Sequence, residues 1–207
     1  TRCLSGANRH LQAIQYSSAR LGEWPNSAAL HYYAGRAAIA LIQFDYARAR
    51  MAYATTLNSG ENRYRFALAY CAQRLGEYET AEREYQIILL GNPDDLNARL
   101  NLALLFKSMG DLKAAIDAFE IVLRIRPTDH KALFGCALSY HQIGRYDQAA
   151  ILARTCLRVR PKHAKSHSLL GNIALGKNDI EGARQHFESA RDIDGEDGSI
   201  LVALARI

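Results

Sequence analysis

No stretch of this chain approaches the roughly 20 apolar residues that a membrane-spanning helix needs. The opening residues, Thr1 to Gly6, have neither the apolar core of a signal peptide nor an initiator methionine. Such a start is expected of a fragment or a processed form of a larger protein. The four cysteines, Cys3, Cys71, Cys136 and Cys156, form no C-x-x-C pair, which argues against a zinc ribbon or a dithiol redox motif. They read instead as free thiols at buried helix positions, which leans toward a reducing, cytoplasmic setting. With 4 Pro and 14 Gly in 207 residues the chain is neither collagen-like nor a linker. No segment alternates apolar and polar residues as a half-buried strand does. Nor does one sign of charge dominate. Lys and Arg total 26 and Asp and Glu 21, a net charge of +5, short of the clustered basic composition of a nucleic-acid binder. What remains is 49% hydrophobic and 23% charged, enough to bury a core and too apolar to stay disordered.

The chain repeats itself every 34 residues. Ala13, Ala47, Ala81, Ala115, Ala149 and Ala183 stand in one phase. Pro25, Ser59, Pro93, Pro127, Pro161 and Gly195 stand in a second, and Gly35, Ala69, Ala103, Ala137, Gly171 and Ala205 in a third. Phe44, Tyr78, Leu112, Tyr146 and Ile180 supply a large apolar side chain in each unit. Gly76, Gly110 and Gly144 form a further column, which Asn8 and Asn178 enter and Ile42 breaks.

Each column has a physical reading. Small residues let two helices approach closely. The Gly or Asn adopts the left-handed conformation that ends the first helix. The proline stops the second helix, and the large residue after the turn is expected to fill the core beside it. Each unit is therefore a helix-turn-helix with helices of about 12 to 14 residues. First helices are predicted near 28–41, 62–75, 96–109, 130–143 and 164–177, and second helices near 45–57, 79–91, 113–125, 147–159 and 181–193. An unpaired second helix is predicted over 8–22 and part of a first helix over 200–207. The units run 28–61, 62–95, 96–129, 130–163 and 164–197, with partial units 1–27 and 198–207, as one array. Ile200, Leu201, Val202, Leu204 and Ile207 are expected to form an exposed apolar end, with the parent protein continuing beyond it.

This pattern resembles the tetratricopeptide repeat family. The unit Leu96 to Asp129 reads LNARLNLALLFKSMGDLKAAIDAFEIVLRIRPTD. Its Asn101, Leu102, Ala103, Phe106, Gly110, Ala115, Phe119 and Pro127 sit where the family places asparagine, leucine, a small residue, an aromatic, the turn glycine, alanine, an aromatic and proline. The bulky tryptophan of the family's first helix is replaced by His31, Arg65, Arg99, Leu133 and His167. The resemblance implies an all-α, right-handed solenoid of stacked hairpins.

Enzyme motifs fail on inspection. Gly171 to Asn178 nearly matches the phosphate-binding G-x-x-x-x-G-K-[ST] loop, but Asn178 replaces the hydroxyl residue and the segment reads as helix running into a turn. His163 and His167 are four apart without a third ligand or the glutamate of a zinc protease, so they read as a solvated pair at a helix start. No nucleophile elbow and no recurring pair of acids is present. No catalytic, cofactor or metal site is expected.

The resemblance further implies that the first helices line a concave groove. Carried over unit by unit, its candidate partner-binding residues are Tyr32, Tyr33 and Arg36; Arg63, Phe66, Tyr70 and Arg74; Asn101, Leu104 and Lys107; Lys131, Phe134 and His141; and Lys165 and Asn172. The groove set contains six Lys or Arg and no acid, while acids such as Glu77, Glu79, Glu82 and Glu84 fall on second helices. A basic groove with aromatic anchors favours an acidic polypeptide segment with apolar side chains. The carboxylate clamp of the chaperone-binding members is absent, because Phe66/Tyr70 or Leu100/Leu104 stand at its first pair. The asparagine ladder of another sub-type, the O-linked N-acetylglucosamine transferase superhelix, is represented only by Asn101.

The function expected is a protein–protein interaction scaffold that is not itself an enzyme, binds no nucleic acid and has no membrane span. Two other roles compete: a spacer or self-association module of a multiprotein assembly or envelope export machine, working through open array ends, and the substrate-recruiting arm of an enzyme whose catalytic domain lies elsewhere.

Overall fold

The computed structural model describes residues 2–207, with side chains from residue 7 onward; the thiol of Cys3 lies outside the described residues. The described chain is all α-helical. Twelve helices follow one another: α1 (Arg2–Glu23), α2 (Ala28–Ala40), α3 (Phe44–Leu57), α4 (Asn62–Leu75), α5 (Tyr78–Gly91), α6 (Leu96–Met109), α7 (Leu112–Ile125), α8 (His130–Gln142), α9 (Tyr146–Val159), α10 (Ala164–Gly176), α11 (Ile180–Ile193) and α12 (Gly198–Ala205). Among the described residues no helix is long and apolar enough to cross a membrane. The chain divides into two compact units, Thr1–Leu105 and Phe106–Ile207.

Within the first unit α1 packs on α2, α2 on α3, α3 on α4 and α4 on α5, and α2 also touches α4. In the second unit the same succession runs from α7 to α12, with α8 touching α10. This is the solenoid arrangement, in which each helix is covered by its sequence neighbours.

Small residues make the close packing possible. Ala47, Ala81, Ala115, Ala149 and Ala183 are all fully buried, as are Ala69, Ala103 and Ala137. Gly35, Gly135 and Gly171 are places where another helix presses on the backbone. A Cβ on Gly135 would come within 3.0 Å of three ring atoms of buried Phe119, and one on Gly171 would meet Phe187 at 2.8 Å. On Gly35 the obstacle is the Met51 methyl at 2.8 Å. Cys71, Cys136 and Cys156 are buried, free thiols. Burial pushes Cys71 and Cys136 up to about 12.

The turns are built alike. Gly76, Gly110 and Gly144 all have φ near +80°, and Asn178 has φ 59°. Ile42 also adopts the left-handed conformation, at φ 62°. The hydrogen bond from the next residue back to the helix is the same in kind: Gln43 to Ala38, Glu77 to Ala72, Arg145 to Tyr140 and Asp179 to Ala174, all at 2.9–3.0 Å. The column that Ile42 interrupts in sequence is thus continuous in backbone conformation, although a β-branched residue is strained there. Helix starts are capped by side chains of Ser27, Asp95, Asp111, Asp129, Asp179 and Asp197.

Two expectations need correction. The large residue after the turn does not fill the core. Phe44, Tyr78 and Leu112 are half-buried and Tyr146 and Ile180 are each 43% exposed, because as the first residue of its helix each overhangs the turn. Each second helix accordingly starts one residue earlier than predicted. At the far end, Ile200 is buried against Ala183, Phe187 and Ala190, leaving Leu201 and Val202 about half exposed.

Candidate functional site

The first helices of the first unit bring a set of rings and guanidinium groups together. Tyr32 on α2 lies 5.0 Å, centroid to centroid, from Tyr64 on α4 and 5.6 Å from Tyr33. Arg36 stands one helical turn after Tyr32, and its guanidinium carbon is 5.7 Å from that ring. Arg63 reaches the same ring at 5.4 Å and Tyr64 at 5.2 Å. Tyr32 is thereby flanked by two cations, an arrangement its ring quadrupole favours. Tyr64 is buried and forms the floor, while Tyr33 is 53% exposed. Arg63 meets Glu61 at 3.3 Å; Arg36 has no carboxylate partner among the described residues.

A second group adjoins the α2–α3 turn. Arg74 lies 5.1 Å from the Phe44 ring, which is edge-on to Tyr70 at 6.2 Å. Phe66 is half-buried, its ring packed 5.6 Å from fully buried Tyr85. On α6, one amide N–H of Asn101 is engaged with the carbonyl of Asn97 at 2.8 Å. Leu104 and Lys107 are half-buried.

The second unit arranges its candidates differently. Phe134 on α8 packs against the core cluster of Ala137 and Leu169 and meets the His163 ring at 5.0 Å. His141 faces Tyr146 at 5.3 Å, and burial lowers its pKa. Lys131, Lys165 and Asn172 are exposed. No ring–cation contact of the kind seen around Tyr32 joins them.

His163 and His167 are not a solvated pair. His163 precedes the first residue of α10 without a side-chain bond to its backbone, its Nδ1 lying 2.7 Å from the Ser166 hydroxyl and 3.9 Å from the Cys156 sulfur. His130 lies 6.5 Å away. His167 faces His186 at 5.8 Å. Burial lowers the pKa of His163, His167 and His186, and cationic neighbours add to this at His163 and His186. Among the described residues no three His, Cys, Asp or Glu are grouped to hold a metal. The near-match to a phosphate loop lies in α10 and its C-terminal cap, and Lys177 donates to Asp147 at 2.6 Å.

The positions that replace the family's tryptophan share a role that the sequence concealed. Each donor there reaches back to the carbonyl six residues earlier, in the proline column. His31 donates to Pro25 at 2.9 Å, Arg65 to Ser59 at 3.1 Å and Arg99 to Pro93 at 2.6 Å. His167 is hydrogen-bonded to the backbone of Pro161. Leu133 has no donor and is simply buried. Three of these positions also face the residue nineteen further on: His31 meets Arg50, Arg65 meets Glu84 and His167 meets His186. The Arg65–Glu84 pair is 2.7 Å long and largely removed from water. Asking what stands nineteen residues beyond each replaced tryptophan would have found these pairs.

Comparison with known proteins gives a consistent result. A tetratricopeptide repeat family model matches residues 66–130, 100–157 and 137–197. No curated protein sequence matches the chain. Among solved structures, MamA from Desulfovibrio magneticus RS-1 superposes with a TM-score of 0.75 at 17% identity, over 83% of this chain and 97% of that one. YrrB, described as a TPR protein with an unusual peptide-binding site, gives 0.70 at 16% identity over 92% and 98%. A tetratricopeptide repeat protein from Parabacteroides merdae ATCC 43184 gives 0.72 at 19% identity, over 96% of this chain and 77% of that one.

Proposed function

The chain belongs to the tetratricopeptide repeat family, and from that premise we propose that it is a protein-binding scaffold that holds an acidic polypeptide segment against α2 and α4. The observation that carries this reading is Tyr32 set between Arg36 and Arg63 over buried Tyr64. Rings beneath a guanidinium restrain its orientation while leaving its N–H groups outward, ready to take a carboxylate in a bidentate grip. The exposed face of Tyr33 offers an apolar anchor beside those charges, and tyrosine and arginine are the side chains that most often dominate interface energy. Arg74 over Phe44, with Tyr70 alongside, extends the same chemistry along α4. A peptide ligand is also in keeping with the peptide-binding site for which YrrB is described.

The test is binding of an acidic peptide array, each peptide carrying one Leu or aromatic residue, to the wild-type chain and to the double variant Arg36→Glu/Arg63→Glu. Calorimetry should show at least about a ten-fold loss of affinity in the variant, and weakening of the wild-type complex by salt. Equal affinities for the two proteins would remove α2 and α4 as the binding surface.

A further inference from the structure

A separate cleft opens beside the start of α2. It encloses about 290 Å3 and is lined by Leu21, Pro25, His31, Arg50 and Tyr53. A neighbouring cleft lined by Glu23, Trp24, Pro25, Asn26 and Ser27 shares Pro25 with it. None of these residues belongs to the surface around Tyr32.

The chemistry of the cleft is set by His31, which is only 5% exposed. Its Nε2 lies 2.9 Å from the Pro25 carbonyl. A carbonyl only accepts, so Nε2 carries the proton and Nδ1 is left as an acceptor. Arg50 donates to that Nδ1 at 3.4 Å, and its guanidinium carbon lies 4.9 Å from the Tyr46 ring. The cation is thus held in place by two neutral groups. It has no ion pair among the described residues. The matching positions of the next hairpin, Arg65 and Glu84, neutralise each other at 2.7 Å. The nearby acid Glu23 is engaged by Arg20 at 2.9 Å. Tyr53 shares the lining with the cation, and Trp24 lines the adjoining cleft. Tyr53 packs edge-on to His31 at 4.6 Å and donates to Asn26 at 3.4 Å, and Trp24 is 62% exposed.

We propose that this cleft is a second binding site, one that takes a carboxylate of a short peptide on Arg50, with the adjoining apolar side chain against Tyr53 and Trp24. The lining supplies a single guanidinium, which matches one negative charge, and no second cation of the kind a phosphate draws. The positioned arginine offers N–H groups to the ligand, whose carboxylate supplies the neutralising charge that Glu84 supplies one repeat later. Two sources carry the same group: the free C-terminus of a chain and the side chain of Asp or Glu.

Trp24 is the only tryptophan of the chain, so its fluorescence reports on the site. The full chain is titrated with acetyl-Ala-Phe bearing a free C-terminal carboxylate, with its C-terminal amide, and with acetyl-Glu-Phe-amide. The expected result is a saturable change with one or both carboxylate peptides and at least about ten-fold weaker binding of the neutral amide. Whichever carboxylate peptide binds identifies the source. Arg50→Gln should lose at least about ten-fold. Arg50→Lys should retain part of the binding, and Arg36→Glu/Arg63→Glu should retain all of it, which separates this site from the α2–α4 surface. The proposal is overturned if the wild type gives no saturable response, if the amide binds as well as the acids, or if inorganic phosphate displaces the peptide at lower concentration than acetate does. Unchanged binding by Arg50→Gln, shown to be folded by circular dichroism, overturns it equally.

Discussion

The two compact units share a backbone plan and differ in what they place on it. The first unit collects tyrosine and arginine: three rings and two guanidinium groups meet around Tyr32, and Arg50 stands over Tyr46. The second collects histidine, with His130, His141, His163, His167 and His186 each in contact with another ring. Arginine keeps its charge at any pH a cell meets, whereas histidine changes its charge near neutrality. One helical scaffold therefore carries a permanently charged surface in one unit and a titratable, half-buried one in the other. Their tight contacts differ as well. The flexible Met51 thioether presses on Gly35 in the first unit, and rigid phenyl rings press on Gly135 and Gly171 in the second.

The largest effect expected from this contrast is at Gly135. Gly135→Ala forces the Phe119 ring out of a filled space and should cost about 2 kcal/mol net of the helix propensity alanine adds. Gly35→Ala meets first the Met51 side chain, which can re-orient, and then the Ala47 carbonyl at 3.3 Å, and should fall within about 1 kcal/mol of wild type. Urea unfolding of the two variants checks this, and equal losses would erase the distinction. A smaller gain is expected at Ile42. Ile42→Gly removes a strained left-handed β-branched residue that is 73% exposed, and should stabilise the first unit by about 1 kcal/mol. A fall in thermal stability would show that the Ile42 side chain supports the turn. The mildest effect is a pH response of the second unit. The pKa values of His141, His163, His167 and His186 are lowered in the fold, so the unfolded chain takes up protons first as the pH falls. Stability contributed by the neutral imidazoles is complete above their unfolded value of about 6.5, declines below it, and levels off once the pH is beneath the folded values. Arg160, Lys165, Arg154 and the neighbouring histidines deepen this loss, and Asp179 beside His186 offsets part of it. Hydrogen exchange at about pH 7.5 and about pH 5 should show faster opening of α8 to α11 at the lower pH.

Much of the fold was legible because close packing restricts residue type. Only small side chains serve where helices touch, so the columns through Ala47 and Ala69 announce the helix pairs and their period. The turn at Ile42 was not legible, since its conformation is imposed by the flanking helices against the preference of the residue itself. The candidate surface was legible only by position. That Arg36 and Arg63 flank one ring depends on the approach of α2 to α4, which no column of residues records. The partnerships nineteen residues apart were hidden for a different reason. His31 with Arg50, Arg65 with Glu84 and His167 with His186 are three different chemistries, so complementarity recurs there without any recurring residue. The reading of His163 and His167 as solvated failed because spacing along one helix says nothing about Phe134 or His186 on its neighbours.

The backward reach of His31, Arg65 and Arg99 to a carbonyl six residues upstream has a consequence for how such a chain can change. Counted from the proline column, as 25–58, 59–92 or 93–126, a thirty-four-residue cassette holds donor and acceptor together, so duplicating, deleting or transplanting such a block carries its own latch with it. The nineteen-residue partner moves in the same block. A lineage could lengthen or shorten the array by whole cassettes without having to reinvent either fastening, and diversify only the outward side chains.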